Sequence, residues 1–231
     1  MASTSLNSNY PAESNTLDRS VATRAWAYGW AISRRAQTPV EHSGYFQVIV
    51  GKPEQMTRYV LPHFDQELIQ RLVSIESGPG TWLKICAPSD IVSPLLSNNW
   101  DIHEPEFLMS TRLAGSHAPA TRGYRIHTES AGALAFAKIV TETGELAASG
   151  QVAIDDSFAS FDQIVTVETH RRRGLGRHLM TALTSMSLDL GAKQGVLVAT
   201  EAGAALYKAL GWSMVSPVTA ASHSSSPAHG A

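Results

Sequence analysis

Ile164-Val165-Thr166-Val167, then Glu168-Thr169-His170, then Arg171-Arg172-Arg173-Gly174-Leu175-Gly176, is the stretch that decides how this chain is organised. The apolar, β-branched run reads as a strand. Leu175, Leu179, Leu183, Met186 and Leu190 lay one apolar face along the helix that follows, and Gly191 stops it. Gly174 and Gly176 remove side chains where the backbone must turn, and the helix start offers unpaired N–H groups at its positive end. Three arginines add planar charged donors that match phosphate oxygens. Together these features form a phosphate seat.

Outward from that turn the pattern continues as strand, helix and strand. Residues 195–200 (GVLVAT) are wholly apolar, as in a strand buried on both faces. A second helix follows over 202–210, closed by Gly211, and a last strand over 212–215. On the other side, residues 124–128, 133–141, 145–154 and 158–167 read as four strands, the second and third joined through Glu142-Thr143-Gly144. Residues 114–123 (AGSHAPATRG) have the composition of a linker. Upstream, Leu17, Val21, Ala25, Tyr28 and Ile32 recur at helical spacing, with Thr16 or Asp18 as caps, and Trp26 and Trp30 lie one turn apart as packing residues. Strands are expected at 45–50, 58–61 and 81–86 and a helix at 65–75. Residues 1–15 and 220–231 are small, polar and Pro-containing, a composition expected of loose tails. The division expected is therefore an N-terminal α/β region over 16–113, the linker, and a ligand-binding unit over 124–219.

Bulk properties narrow the partners. The 231 residues are 43% hydrophobic with a net charge of −2, enough for a sizeable core but without a general pull toward nucleic acid or an anionic membrane. The arginine run acts locally, and a diphosphate suits it better than a polymer. A single cysteine, Cys86, gives no disulfide framework; it lies in an apolar run with no base beside it and reads as buried packing rather than as a nucleophile. No cluster has metal-ligand spacing, so no metal is expected. No apolar run approaches the ~20 residues of a membrane span, and a cytoplasmic location is the expectation.

Two familiar phosphate motifs do not fit. A dinucleotide fingerprint needs a third glycine three residues past Gly176, where Leu179 stands, and a nucleotidase phosphate loop needs Lys and Ser/Thr where Arg177 and His178 follow Gly176. The residues resemble instead the GNAT superfamily of acyl-coenzyme A dependent N-acetyltransferases. Its signature Arg/Gln-x-x-Gly-x-Gly/Ala is matched by Arg171, Gly174 and Gly176. Its second, Leu-Tyr-x-x-Leu-Gly-Phe, is matched by Leu206-Tyr207-Lys208-Ala209-Leu210-Gly211-Trp212. The likeness covers roughly residues 124–218. It implies an α/β (α+β) fold, a mixed, mostly antiparallel twisted sheet flanked by helices, here preceded by the additional N-terminal α/β region, which has the look of a degenerate copy.

The resemblance also implies a site. Amides over Arg172, Arg173, Gly174, Leu175, Gly176 and Arg177, with Arg171, would cradle the pyrophosphate of acetyl-coenzyme A. The strand end at Val165, Thr166 and Val167 would pair with the pantetheine arm. Tyr207 would protonate the departing thiolate. Thr200 stands where family members often carry Asn, and its hydroxyl still suits a helix cap or a pantetheine contact. Asp162, four residues before Thr166 on the same strand face, is the candidate base. Glu168, His170, His127, Glu129 and the set Asp101, Glu104, Glu106 are further titratable groups, read as surface or loop residues; His170 in particular is expected at the surface.

The activity implied is acetyl transfer to the primary amine of a small molecule or amino acid by direct attack in a ternary complex; the alternative is a non-catalytic acyl-coenzyme A sensor. A homodimer is compatible with the sequence. One departure bears on the acceptor: only Glu129-Ser130-Ala131-Gly132 separates the first two strands, too few for the two helices the family places there. A wall from residues 16–113 is expected in their place, from the Trp26 and Trp30 helix or from residues 100–107.

Overall fold

Alternating apolar and polar residues make strands along most of this chain, and one continuous sheet collects them. A computed structural model describes residues 16–75, 78–115 and 121–224. The first half supplies β1 (Val40–His42), β2 (Tyr45–Lys52), β3 (Gln55–Leu61), α2 (Gln66–Ile75), β4 (Thr81–Ile85), a short α3 (Ser89–Val92), β5 (Trp100–Ile102) and β6 (Glu106–Arg112), all preceded by helix α1 (Arg19–Arg34). The second supplies β7 (Tyr124–Ala131), β8 (Leu134–Thr141), β9 (Leu146–Asp155), β10 (Phe158–Thr166), α4 (Leu175–Asp189), β11 (Gln194–Thr200), α5 (Glu201–Ala209) and β12 (Ser213–His223). Strands run in the order β1-β2-β3-β4-β12-β6-β11-β10-β9-β8-β7, with β5 also on β12. Only β3–β4 and β10–β11 are parallel, so the expected mixed, mostly antiparallel sheet with flanking helices is what forms.

The halves exchange strands. β6, from the first half, fills the place between β11 and β12, pairing Thr200 with Glu106 and Gln194 with Arg112. Reciprocally, the end of β12 enters the first half, where Thr219 to Ser222 pair with β4 and Ala221 to His223 with β5. One strand of the second half's sheet thus comes from upstream of residue 113. The same pairing corrects the expected loose tail from residue 220: Ala220 and Ala221 are 1% and 0% exposed, because alanine lets this strand lie deep between two neighbours. Residues 1–15, 225–231 and the middle of the expected linker, 116–120, lie outside the described residues.

Asp18 caps α1, accepting from Ser20 and Val21 N–H at 2.9 and 3.1 Å. The buried face differs from the one the spacing suggested. Val21 is 43% exposed, whereas Ala22, Ala25, Trp26, Gly29 and Trp30 pack. Close approach explains this choice: a Cβ on Gly29 would fall 2.2 Å from Ser160 Cβ on β10. Small residues bring α1 onto the sheet, and the two tryptophans fill the space beside Phe46, Val48 and Val60. On the opposite face α4 and α5 close a second core around Leu179, Leu183, Leu197 and Trp212, and α2 closes a third around Leu61, Leu83 and Ile85.

Candidate functional site

β10 loses its partners on both sides at one level. Against β9 it pairs in register from Phe158↔Asp155 to Asp162↔Gln151, then resumes at Val165↔Ser149. Gln163 and Ile164 therefore face Gly150 alone, a bulge in which Gln163 takes φ 56°. Glycine is required opposite, since a Cβ on Gly150 would lie 2.5 Å from Ile164 Cδ1. Toward β11, the parallel pairing spans only Phe158↔Gln194 to Ser160↔Val196, after which the strands part. The other parallel pair stays closed, from Thr57↔Thr81 to Leu61↔Ile85, with Cys86 N–H donating on to Leu61 C=O at 2.9 Å. Among the described residues, only the second half holds an open cleft of this kind. Asp162, Ile164, Thr200 and Tyr207 line a cavity of about 200 Å³ within it.

Above the cleft stands the glycine turn. Arg172 and Gly174 adopt φ 62° and 79°, a reversal that only glycine makes without strain at residue 174. No side chain caps α4, and His178 N–H, on Gly174 C=O at 3.1 Å, is the first helical amide to close back onto the turn. Among the described residues the amides of Leu175, Gly176 and Arg177 have no acceptor, the open donors of a helix start. Gly176 lets α5 approach, for a Cβ there would lie 2.9 Å from Leu206 Cδ2. Val165, Thr166, Arg171, Arg172, Gly174, Leu175, Gly176, Arg177 and Thr200 all border one groove of about 700 Å³. Leu175 itself is buried in the core, so it offers backbone only. Thr200 caps α5 by accepting from Gly203 N–H at 3.3 Å. This combination of open amides, arginines and an apolar strand edge fits a diphosphate carrying a narrow arm.

Two expected members stand apart from that groove. Val167 N–H is spent on Ala147 C=O at 2.9 Å. Arg173 turns toward β7, donating to Tyr124 Oη at 2.9 Å and Thr169 C=O at 3.2 Å. His170 is a correction: it is 7% exposed, not a surface residue, because its ring lies 2.9 Å from Tyr124 Oη and 3.3 Å from Glu145. That small polar cluster pins the turn to the meander.

Tyr207 is 7% exposed and packs on Trp212, with ring centroids 5.9 Å apart. Burial, and then the charge of Asp162, push its hydroxyl up to about 12. Asp162 is fully engaged. Oδ2 accepts from Ser33 Oγ and Arg34 Nε at 2.6 Å each, and Oδ1 from Arg34 Nη2 at 3.1 Å and Gln163 N–H at 2.9 Å. Four donors fill the four lone-pair positions of a carboxylate. Cys86 lies elsewhere, 2% exposed beside Thr23, and burial pushes its thiol up to about 11.

A second groove, of about 440 Å³, opens on the face where α1 ends. Its floor is a ladder of cross-strand neighbours: His127, Lys138, Ser149 and Val165 in one row, Glu129, Phe136 and Gln151 in the next, a row that Asp162 continues beyond the groove. Of its lining residues, Gln151 ties to the last turn of α1, its Nε2 donating to Ser33 C=O and lying 2.6 Å from Ser33 Oγ. His127 and Glu129, placed by the sequence at the end of the strand over 124–128 and read as solvated, lie within β7 and line this groove. Strand alternation alone puts 127 and 129 on one face; what sequence lacked was the pairing partner. Of the other acidic candidates, Glu106 pairs with buried Lys84 at 2.5 Å, where burial lowers the ammonium to about 8, and Asp101 accepts from Ser224 Oγ at 2.5 Å.

Among the described residues no group of three or more His, Cys, Asp or Glu could hold a metal ion, and no helix is long and apolar enough to cross a membrane. A profile of the acetyltransferase (GNAT) family matches residues 98–212. Among solved structures the chain is similar to a GCN5-related N-acetyltransferase from Kribbella flavida, at 15% identity over 91% of this chain and 96% of that one, with a TM-score of 0.61. It is similar to a GCN5-related N-acetyltransferase from Sphaerobacter thermophilus at 10% identity, 80% and 78% coverage and TM-score 0.58. It is also similar to a tandem GNAT protein from the clavulanic acid biosynthesis pathway at 12% identity, 80% and 79% coverage and TM-score 0.51. At these identities the likeness is one of fold. Curated proteins give no match.

Proposed function

Because the chain belongs to the GNAT acetyltransferase family, we propose that it moves an acetyl group from acetyl-coenzyme A to the primary amine of a small molecule or amino acid. One observation carries this reading: Val165, beside the β10 bulge, borders both the arginine and glycine groove and the second groove. Two ligands lying in them meet at that residue, and positioning of this kind supplies much of a transfer rate.

In the proposed complex the open amides before His178, with Arg171, Arg172 and Arg177, hold the pyrophosphate. The parted edge of β10 holds the pantetheine arm, and Thr200 sits where that arm passes α5. The substrate supplies an activated thioester carbonyl. The amine nitrogen bonds to the carbonyl carbon, a β10 amide at Val165 or Thr166 stabilises the oxyanion, and the carbon–sulfur bond breaks. Tyr207 gives its proton to the departing sulfur, and the amine releases one to water. Asp162, with its lone pairs filled, acts by fixing α1 and the bulge in place. A cytoplasmic setting suits the single buried, unbridged Cys86.

The filled lone pairs of Asp162 are also the observation that favours a second reading, a non-catalytic acyl-coenzyme A sensor. Thiol release from acetyl-coenzyme A over a panel of primary amines separates the two. Amine-dependent release supports transfer; saturable cofactor binding with no release on any amine supports the sensor.

A further inference from the structure

The second groove carries a charge pattern that the phosphate seat and the bulge do not use. Lys138 stands directly opposite His127 across β7 and β8, two potential cations face to face, an arrangement that costs stability when both are charged. A surface strand pair selected for stability alone would place an acid there. Among the described residues neither side chain has a hydrogen-bonding or ion-pair partner, although both border the groove. The one carboxylate of the next row that lies near the bulge, Asp162, is committed to Arg34 and Ser33. Lys138 borders this cavity with Glu129 as a diagonal neighbour, but among the described residues it forms no salt bridge.

Position turns this into a statement about the ligand. Lys138, Ser149 and Val165 are consecutive neighbours across β8, β9 and β10, so two strand spacings, about 10 Å, separate the Lys138 backbone from Val165. A lysine crosses most of that distance on its flexible four-carbon stem. An α-amino acid whose nitrogen lies at Val165 carries its carboxylate one carbon away, a position within the span between Val165 and Lys138. Glu129, in the neighbouring row, opposes a second negative charge, and Phe136 and Val165 give the floor apolar surface for an uncharged side chain. The groove is complementary to one anion beside one amine.

Resting on the acyl-transfer reading above, we infer that the acceptor is an amine bearing a single carboxylate, of the amino-acid kind, and that Lys138 with His127 reads that carboxylate.

The test uses the full chain, acetyl-coenzyme A and matched probes: L-methionine, L-phenylalanine and L-glutamine, each beside its primary amide and its decarboxylated amine. The acids are expected to exceed their amides by about tenfold or more in kcat/KM, as for a charged hydrogen bond. Lys138→Gln removes most of that ratio and Lys138→Arg keeps it. Amides used as well as acids, or a ratio that survives Lys138→Gln, overturns the inference while leaving acyl transfer standing. If no amine releases thiol although coenzyme A binds, acyl transfer fails. Titration of the three acids into the coenzyme A-saturated protein then decides the carboxylate site: binding lost in Lys138→Gln supports it, and no binding overturns it.

Discussion

Arg34, in the last turn of α1, grips both oxygens of Asp162, the residue at which β10 leaves its register with β9, at 2.6 and 3.1 Å. The upstream helix is thereby tied to the point where the cleft opens. Asp162→Asn and Arg34→Ala are each expected to cost about 1–2 kcal/mol of stability, the Arg34 side chain being partly solvated. The double variant should cost less than their sum by about 0.5 kcal/mol or more, as measured by denaturant unfolding. Full additivity would show that the pair is not coupled.

Tyr207 makes a prediction about pH. Its hydroxyl is pushed up to about 12 by burial, so it stays protonated across the working range. The folded chain holds this proton more tightly than the unfolded chain does. The stability this contributes is whole below the ordinary value of 10.0 and is lost as pH rises toward about 12. The pH–kcat profile should show no alkaline fall assignable to Tyr207 below pH 10.0. Tyr207→Phe should lower kcat by about 10²- to 10⁴-fold with little change in acetyl-coenzyme A binding.

The arginines around the glycine turn should not behave alike. Arg172 and Arg177 border the groove, whereas Arg173 donates to Tyr124 and Thr169. Arg172→Ala and Arg177→Ala are expected to weaken coenzyme A binding by about tenfold each, the loss of one charge-assisted contact. Arg173→Ala should instead act on thermal stability, measured by the melting midpoint.

Much of this architecture was legible in the sequence, for local reasons. The glycine turn, the apolar face of α4, the Thr200 cap and the Tyr207 motif are encoded within a few residues of where they act. The strand exchange was not, since nothing inside residues 106–112 says that their neighbours are residues 194–200 and 213–218. The same holds for Asp162: its identity was readable, but the Ser33 and Arg34 donors lie 129 and 128 positions away. The sequence puts His127 and Glu129 at the end of a strand, but without its hairpin register that strand has no assigned face.

Two changes upstream of residue 122 should destabilise the cleft. Gly29→Ala puts a Cβ 2.2 Å from Ser160 Cβ, a contact that only a shift of α1 relieves, and a loss of about 1–3 kcal/mol is expected. A chain begun at Arg122 lacks β6, which separates β11 from β12, and should be insoluble or unfolded by circular dichroism. A folded, active fragment would show that the exchanged strand is dispensable.

The central claim is that the open amides of the glycine turn, flanked by arginines, hold the pyrophosphate of acetyl-coenzyme A and aim its thioester into the β10–β11 cleft. Calorimetric titration of acetyl-coenzyme A into the full chain tests it most directly. One site per chain is predicted, with a dissociation constant between about 1 μM and 1 mM, weakened in Arg172→Ala. A titration with no saturable heat at millimolar cofactor, or one indifferent to Arg172→Ala, would contradict it.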